Sequence, residues 1–266
     1  MNIRRMEFCN LFSGSSGNCS LVKTKKTKIL VDCGNSGKRI EQSIAEIDEH
    51  LEDISAILVT HEHTDHVQSL GLISSKYDIP VYANKETWDA MPKQSCKIDD
   101  KNKLLFTPNE SFKINDILIE PFSIPHDAAN PCAFNFIVGD KKLSIATDLG
   151  HITDEIYEKL KGSTFGLIES NYDNEILKVS RYPFSLKRRI SGPNGHLSNS
   201  TCAKLISKLI NDDLKQVMLG HLSKENNFPE LAYQTVAEQL MQTNIDINTI
   251  HLSVANRTNH SNIIKV

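Results

Sequence analysis

The sequence predicts an α/β fold in which β-sheet lies between layers of helix. Short apolar runs typical of strands recur along most of the chain, and segments with helical periodicity lie on both sides of its strand-rich middle. At 266 residues the chain can bury a sizeable core, and nothing in its length requires a second domain. We therefore expect a single domain over residues 1–266.

The first third of the chain is predicted to alternate strands with helices. The expected strands are 8–12, 20–22, 28–31, 56–60 and 81–83. The expected helices are 36–49, 66–76 and a short one near Glu86. The first of these helices places Ile40, Ile44 and Ile47 on one face. Between the first two strands, the loop 13–18 is rich in serine and glycine, which predicts a turn.

The middle of the chain is predicted to be strand and turn, and helices return after residue 150. The expected strands are 104–106, 111–114, 118–124, 133–138 and 143–146. Farther along, helical segments alternate with the strands 164–168 and 216–219. The last strong helix is expected at about 229–241.

Composition gives few hints about partners or location. The chain has 30 basic and 33 acidic residues, a net charge of −3, so its overall charge indicates no particular partner. No apolar run approaches the ~20 residues that cross a bilayer, and Glu7 and Asn10 interrupt the apolar residues near the N-terminus. We expect a cytoplasmic protein without a membrane segment, whose six scattered cysteines are reduced.

The most informative segment is 61–66, which reads His-Glu-His-Thr-Asp-His directly after an apolar run. In an extended backbone, residues 61, 63 and 65 point to the same side, and His66 can turn back toward them from the start of a helix. Imidazole and carboxylate groups suit zinc, manganese or iron. A zincin motif would need histidine at position 65, and Asp65 excludes that interpretation.

Three further metal-ligand side chains follow predicted strands, as His61 does. His126 comes after the strand 118–124, Asp148 after 143–146, and His221 after 216–219. Catalytic groups are often carried on loops held by a rigid sheet. We therefore expect these residues to contribute to one site with the segment 61–66.

The order of these motifs resembles the metallo-β-lactamase superfamily. The likeness lies in H-x-H-x-D-H, a lone histidine, the aspartate in TDLG at 147–150 and the histidine in GHLS at 220–223. The chain looks most similar to the YycJ/WalJ group of bacterial metallo-hydrolases. Four motifs carry that closer likeness: SGSSGN at 13–18, ESNYD at 169–173, RYPFSLKRR at 181–189 and GHLSN at 195–199. The resemblance implies a four-layer αβ/βα sandwich with a binuclear metal site at one edge.

The resemblance also implies which residues bind the metals. One metal would be held by His61, His63 and His126, and the second by Asp65, His66 and His221, with Asp148 bridging both. We expect two divalent ions, zinc or manganese, with iron also compatible. A hydroxide bridging them would be the nucleophile, because metal binding lowers the pKa of water from ~15.7 toward ~7. Asp65 would have a catalytic role as well, in orienting that water.

A basic segment indicates a polyanionic substrate. Residues 178–189 contain no acid and five basic residues, namely Lys178, Arg181, Lys187, Arg188 and Arg189. Phosphates are bound by lysine and arginine, and Tyr182 and Phe184 could stack on unpaired bases. We expect Arg181, Lys187, Arg188 and Arg189 to bind substrate. The alternative is a solvated helix face.

Two other features have two interpretations each. His196 would contact the scissile phosphate and protonate the leaving oxygen as a catalytic and substrate-binding residue, or it is a surface-loop histidine. The polar group Glu169, Asn171 and Asp173 would either orient metal-bound histidines or cap a helix.

These observations predict a metal-dependent phosphodiesterase that acts on nucleic acid. The resemblance to the YycJ/WalJ group implies a 5′-to-3′ exonuclease, with DNA favoured over RNA. The first alternative is a small-molecule hydrolase of the same fold that acts on thioesters or cyclic phosphodiesters. The second is a metal-bound binding module without turnover. The oligomeric state is left open.

Overall fold

Residues 5–266 are described by a computed structural model, in which the chain forms two units, each with its own internal packing. Unit 1 comprises 5–123, 128–141 and 256–266, and unit 2 comprises 124–127 and 142–255. The expected single domain over residues 1–266 stays a prediction, and its first four residues lie outside the described part.

The strands follow the predicted apolar runs closely. In residues 5–266 they are β1 (Glu7–Phe12), β2 (Cys19–Lys23), β3 (Lys28–Val31), β4 (Ala56–Leu58), β5 (Val81–Ala83), β6 (Lys103–Leu105), β7 (Phe112–Ile114), β8 (Ile117–Ser123), β9 (Cys132–Val138), β10 (Lys141–Ala146), β11 (Phe165–Glu169), β12 (Gln216–Gly220), β13 (His251–Val254) and β14 (Ile264–Lys265). The last two strands were absent from the sequence prediction. Both are short and partly exposed, so they lack the apolar pattern of a buried strand.

The helices alternate with these strands. Over the same residues they are α1 (Gly37–Glu46), α2 (Thr64–Val67), α3 (Leu70–Tyr77), α4 (Lys85–Ala90), α5 (Asp154–Leu160), α6 (Asn174–Val179), α7 (Phe184–Ile190), α8 (Asn199–Ile210) and α9 (Pro229–Gln242), with short 3₁₀ helices at Leu51–Asp53, Asp100–Asn102 and Ile247–Thr249. In α1, the predicted apolar face is confirmed, because Ile40 and Ile44 are buried, as is Ile47 just after the helix. None of the described helices combines the length and the apolar composition needed to cross a bilayer.

The single helix predicted at 66–76 is wrong. Two helices, α2 and α3, meet at Gln68 and Ser69. The loop after β3 enters at this point: the Cys33 amide donates to the His66 carbonyl at 2.7 Å, and the Ser69 amide donates to the Cys33 carbonyl at 3.0 Å. The first bond takes the place of the helical bond that the His66 carbonyl would accept, and the second takes the place of the bond that the Ser69 amide would donate.

In unit 1, the main sheet places two functional loops side by side. Its strand order is β14-β1-β2-β3-β4-β5-β6, with antiparallel pairing up to β3 and parallel pairing from β3 to β6. Val31 is opposite Leu58 in the parallel pair, so β3 and β4 end at the same edge. The segments that begin at Asp32 and Val59 therefore leave the sheet next to each other. Strands β7, β8 and β9 form an antiparallel group in the same unit.

In unit 2, four parallel strands likewise bring functional segments together at one edge of a sheet. The strands β10, β11, β12 and β13 lie in that order, and Ala146, Ile168, Leu219 and Val254 occupy the same register. Their carboxyl ends share one edge. Asp148, Glu169 and His221, which end or follow three neighbouring strands, are consequently brought to that edge.

The cysteines are structural. All six are free thiols, as predicted, and five are buried. Burial raises the pKa of Cys132 to about 12, and a thiol with so high a pKa is a poor nucleophile.

Candidate metal centre

The segment 61–66 forms a cluster of metal-ligand side chains in unit 1. It leaves β4 and enters α2 at Thr64, two residues earlier than predicted, so Asp65 lies in the first turn of the helix and not in extended backbone. His61 Nε2 lies 3.1 Å from His63 Nδ1, and the His61 and His66 ring centroids are 4.1 Å apart. Asp65 Oδ2 lies 3.7 Å from His66 Nε2. The four predicted ligands of this segment therefore converge, and His61 and His66 are fully buried.

Asp32 and Thr60 contact the Nδ1 atoms of two of these rings, His66 and His61. Asp32 Oδ2 lies 2.7 Å from His66 Nδ1 and accepts a 2.8 Å hydrogen bond from the Thr60 hydroxyl. The same hydroxyl lies 3.0 Å from His61 Nδ1. Sequence reasoning missed Asp32. It directly follows β3, so the rule that identified the other strand-end ligands would also have identified it.

The serine- and glycine-rich loop 13–18 is a turn between β1 and β2 that reaches this cluster. Asn18 Nδ2 lies 3.0 Å from His66 Nε2, and the Asn18 amide donates to the Asp65 carbonyl at 2.8 Å. Gly34 approaches the same carbonyl so closely that a Cβ would lie 1.6 Å from the oxygen. Only glycine fits at that position.

A second cluster lies in unit 2 around Asp148. One of its carboxylate oxygens, Oδ1, lies 3.6 Å from His126 Nε2 and 3.5 Å from His221 Nδ1. All three side chains are buried. Asp148 and His221 have φ angles of 60° and 55°, in the left-handed region that non-glycine residues rarely adopt. Strained backbone of this kind is common at functional sites.

Glu169 organises this second cluster. Its Oε1 lies 2.8 Å from His221 Nδ1 and 2.9 Å from His196 Nδ1, and its Oε2 accepts from the Leu149 and Leu197 amides. Burial alone would raise the pKa of Glu169, but the two adjacent imidazoles outweigh it and lower the pKa to about 2. Ligand atoms of Asp148, Glu169, His196 and His221 lie within 4.8 Å of one another.

The two interpretations of residues 169–173 apply to different residues. Glu169 and Asn171 orient His221, since Asn171 Nδ2 donates to the His221 carbonyl at 2.7 Å and lies 3.3 Å from its Nδ1. Asp173 instead caps α6, accepting from the amides of Glu175 and Ile176.

The remaining ring of the second cluster, His126, is held by the backbone. Its Nδ1 donates to the Gly195 carbonyl at 3.0 Å, because a carbonyl can only accept. Burial is the main cause that lowers the pKa of His126, which favours the neutral imidazole.

Four histidines of the two clusters share one property that suits metal binding. Each of His61, His66, His126 and His221 has its Nδ1 next to a side chain or carbonyl of the protein, at 2.7–3.0 Å in the nearest contact. Ligating histidines are held in this way, with the Nε2 directed at the metal. The donor set fits divalent metal, and the grouping of these residues around two ions stays a prediction.

His196 lies at the edge of the second cluster. Its side chain is 20% exposed, and its Nδ1 is held by Glu169. Burial lowers the pKa of His196, but the Glu169 carboxylate outweighs it, so that the pKa is raised. A histidine held by a buried carboxylate is not an ordinary surface-loop residue. Its contact with substrate stays a prediction.

The basic segment comprises the end of α6, the connection 180–183 that contains Arg181, and most of α7. Every residue of α7 is at least partly exposed, and Phe184 at its start is 80% exposed. Lys187 Nζ donates to the Lys178 carbonyl at 2.7 Å, and Lys178 pairs with Glu175 at 2.6 Å. Arg189 pairs with Asp127. Whether the basic residues bind substrate stays a prediction.

Sequence comparisons identify similar proteins of known family. The model of the β-lactamase superfamily domain matches residues 27–221. The exodeoxyribonuclease YycJ of Bacillus anthracis is 41% identical over 235 residues, which cover 88% of this chain and 89% of the relative. The exodeoxyribonuclease WalJ of Streptococcus pneumoniae serotype 2 is 41% identical over 239 residues, covering 89% of each chain.

Structure comparisons agree on the fold. The metallo-β-lactamase fold protein YhfI from Bacillus subtilis matches with a TM-score of 0.70 at 14% identity, covering 97% of this chain and 99% of YhfI. Zn²⁺-bound PqqB from Methylobacterium extorquens matches with a TM-score of 0.70 at 14% identity, covering 96% and 99%. The predicted αβ/βα sandwich is confirmed. A fold of this kind implies divalent metal, and the two side-chain clusters have the ligands for it.

Proposed function

Because this chain belongs to the β-lactamase superfamily, and within it to the group of YycJ and WalJ, we propose that it is a metal-dependent 5′-to-3′ exonuclease that acts on DNA. One observation carries the proposal: 41% identity to two relatives named exodeoxyribonucleases, over about nine-tenths of both chains. We place its activity in the cytoplasm.

The metal ligands of the enzyme are the seven residues that the family resemblance assigns. One ion would be held by His61, His63 and His126 and the other by Asp65, His66 and His221, and Asp148 would be shared. The ions are zinc or manganese. The held rings and buried carboxylates of each cluster support this assignment. When bound, a divalent metal supplies Lewis acidity and makes water acidic enough to be a nucleophile near neutral pH.

The chain's own side chains orient the reactants. Asp65 accepts a hydrogen bond from the attacking water and directs it toward phosphorus. Glu169 holds Nδ1 of His196, which leaves Nε2 as the ring atom that can carry a proton to the leaving oxygen. The proton that His196 transfers therefore starts on a ring whose orientation is fixed by the buried Glu169 carboxylate.

The substrate is a polyanion held by the basic segment. Arg181, Lys187, Arg188 and Arg189 neutralise phosphates of the DNA backbone, and His196 contacts the scissile phosphate. These contacts give affinity without reading sequence. They also make binding weaker as salt concentration rises.

The test is a nuclease assay on 5′- and 3′-labelled DNA and RNA, single- and double-stranded, with zinc and manganese compared. We expect early release of the 5′ label from DNA, while the 3′ label stays on progressively shorter strands. The Asp148→Asn variant, purified in the same way, controls for a contaminating nuclease. Preference for RNA, or internal cleavage, would contradict the proposal. Turnover of thioesters or cyclic phosphodiesters with intact DNA would favour the small-molecule alternative.

A further inference from the structure

A cavity of about 500 Å³ lies in unit 2 between α6 and α7. This volume is within the range of small-ligand sites, ~300–1,000 Å³. Its lining combines apolar with cationic side chains, namely Tyr172, Leu177, Phe184, Lys178, Lys187 and Arg188. The metal ligands do not line it. We call it the α6–α7 cavity.

The apolar lining offers a surface for an aromatic ring. Tyr172 and Leu177 are buried, at 6% and 5% exposure, and contribute their surface to the inside of the cavity. Phe184 begins α7 and keeps 80% of its surface exposed. Such exposure leaves an aromatic face open to a ligand that enters the α6–α7 cavity. Flat aromatic ligands such as nucleobases stack on faces of this kind.

The charge of the lining is of one sign. Among the described residues that line the cavity, three are cationic and none is acidic. Lys187 Nζ donates to the Lys178 carbonyl, which ties α7 to the end of α6 and keeps the Lys187 ammonium beside the cavity, while the Lys178 ammonium pairs with Glu175. Arg188 forms no ion pair with any residue in 5–266. This charge pattern complements the phosphates that flank each base of a nucleic acid.

We propose that the α6–α7 cavity binds one unpaired nucleotide of single-stranded DNA. The base stacks against Phe184 over the surface of Leu177 and Tyr172, and the neighbouring phosphates meet Lys187 and Arg188. A base in a duplex has both faces covered by its neighbours, so a site that binds a base by its face selects single strands. This inference rests on the proposed function and adds to it the strand state of the bound substrate.

The experiment measures equilibrium binding of the full-length protein to fluorescent oligodeoxynucleotides with phosphorothioate linkages, which slow hydrolysis. Single-stranded and duplex forms of the same sequence are compared. For Phe184→Ala we expect single-strand affinity to fall about tenfold, the scale of one lost stacking contact. Duplex affinity should stay unchanged. The matched control is Val179→Ala, since Val179 is 84% exposed on α6 and does not line the cavity.

Salt dependence separates the stacking contact from the charged contacts. Arg188→Ala should reduce the slope of log affinity against log salt by about 0.7, the value for one single-strand phosphate. Phe184→Ala should leave that slope unchanged. Lys113→Ala, which removes one exposed charge in unit 1, is the control and should change neither quantity.

The outcomes distinguish failure of this inference from failure of the proposed function. If the wild-type protein degrades DNA but Phe184→Ala binds single strands as tightly as Val179→Ala does, the cavity inference alone is wrong. Equal losses on single strands and duplexes would also overturn it. If the protein binds an RNA strand more tightly than the DNA strand of the same sequence, the ligand is RNA and the proposal of a DNA ligand is wrong. If the wild-type protein neither binds nor degrades DNA, both the function and the inference fail.

Discussion

Arg189 Nε lies 2.5 Å from Asp127 Oδ2, an ion pair that links the basic helix α7 to the residue after the proposed ligand His126. Both side chains keep contact with solvent, at 59% and 31% exposure. Exposed pairs of this kind stabilise a fold by at most ~1 kcal/mol. The pair therefore matters chiefly for the charge that α7 presents to substrate.

Asp127 limits the contribution of Arg189 to DNA binding, and a double-mutant cycle measures this. We predict that Asp127→Asn raises affinity for non-hydrolysable single-stranded DNA by about two- to fivefold, because Arg189 loses its competing carboxylate. In the Arg189→Ala background the same change should have a smaller effect. Equal effects in both backgrounds would show that Arg189 does not contact the DNA. Urea unfolding of each variant checks that stability is unchanged.

Glu169→Gln tests how the second cluster is held. The substitution keeps the size of the side chain and removes the carboxylate that fixes His221 and His196. We predict a metal affinity about 10- to 100-fold weaker, measured by competition with a chromophoric chelator. The control is Glu175→Gln, a glutamate on the surface of α6. Unchanged metal affinity in a folded Glu169→Gln protein would mean that Glu169 does not orient a ligand.

Asp32→Asn tests the corresponding position in the first cluster. Asparagine tolerates the positive φ of 63° at this position, so the backbone is expected to persist. The amide loses the charge that holds His66 Nδ1, and we predict a metal affinity about 10- to 100-fold weaker in the same competition assay. Asp48→Asn is the control, because Asp48 also has a positive φ, of 57°, but lies outside both clusters. Equal affinities in the two variants would refute the role of Asp32.

The sequence predicted much of the fold and most of the side chains that gather in the two clusters, for physical reasons. Buried strands are apolar runs between turns, so β3 and β5 were predicted to the residue and the other ten predicted strands within two. The candidate ligands were identified because each lies in a segment that follows such a run. The break between α2 and α3 could not be predicted, since it depends on a contact with Cys33 from a distant loop.

The sequence also could not predict contacts between side chains that are far apart along the chain. Arg189 and Asp127 are 62 residues apart, and no local pattern pairs them. The role of Glu169 was left open because an acid after a strand can cap a helix or hold a ligand. Only the fold places its carboxylate between His196 and His221.

His196→Ala tests the proposed proton donor. We predict turnover of DNA reduced about 100-fold or more, the contribution typical of a general acid, with metal content unchanged. His50→Ala removes an exposed histidine and is the matched control. Loss of metal from His196→Ala would make His196 a ligand instead. Full turnover would remove it from the mechanism.

Glu49 gives a pH-dependent contribution to stability. Its side chain is 9% exposed and lies 2.5 Å from Lys23 Nζ and 2.6 Å from Lys28 Nζ. Burial raises the pKa of Glu49, but the two ammonium groups outweigh it, so that the pKa is lowered. Ionised Glu49 therefore stabilises the folded state above the unfolded-state pKa of ~4.3, and this stabilisation is lost as pH falls through the lower folded-state pKa.

Glu49→Gln should lower the free energy of unfolding at pH 7 by about 1.5–3 kcal/mol, the range for hydrogen bonds to charged groups. Urea titrations from pH 7 down to pH 3 measure the difference from wild type, which should narrow below pH ~4.3. Glu158→Gln, at an exposed ion pair with Lys161, should show almost no difference at any pH. If the difference in unfolding free energy between Glu49→Gln and wild type stays constant with pH, ionised Glu49 is not the source of the pH-dependent stability.

The most direct test is the nuclease activity of the protein on 5′-labelled single-stranded DNA after removal of divalent metal, with metal content measured in the same sample. We predict that activity disappears with the metal and returns when zinc or manganese is added back. Asp148→Asn should not recover under the same treatment. Full activity in a sample without detectable divalent metal would contradict the account.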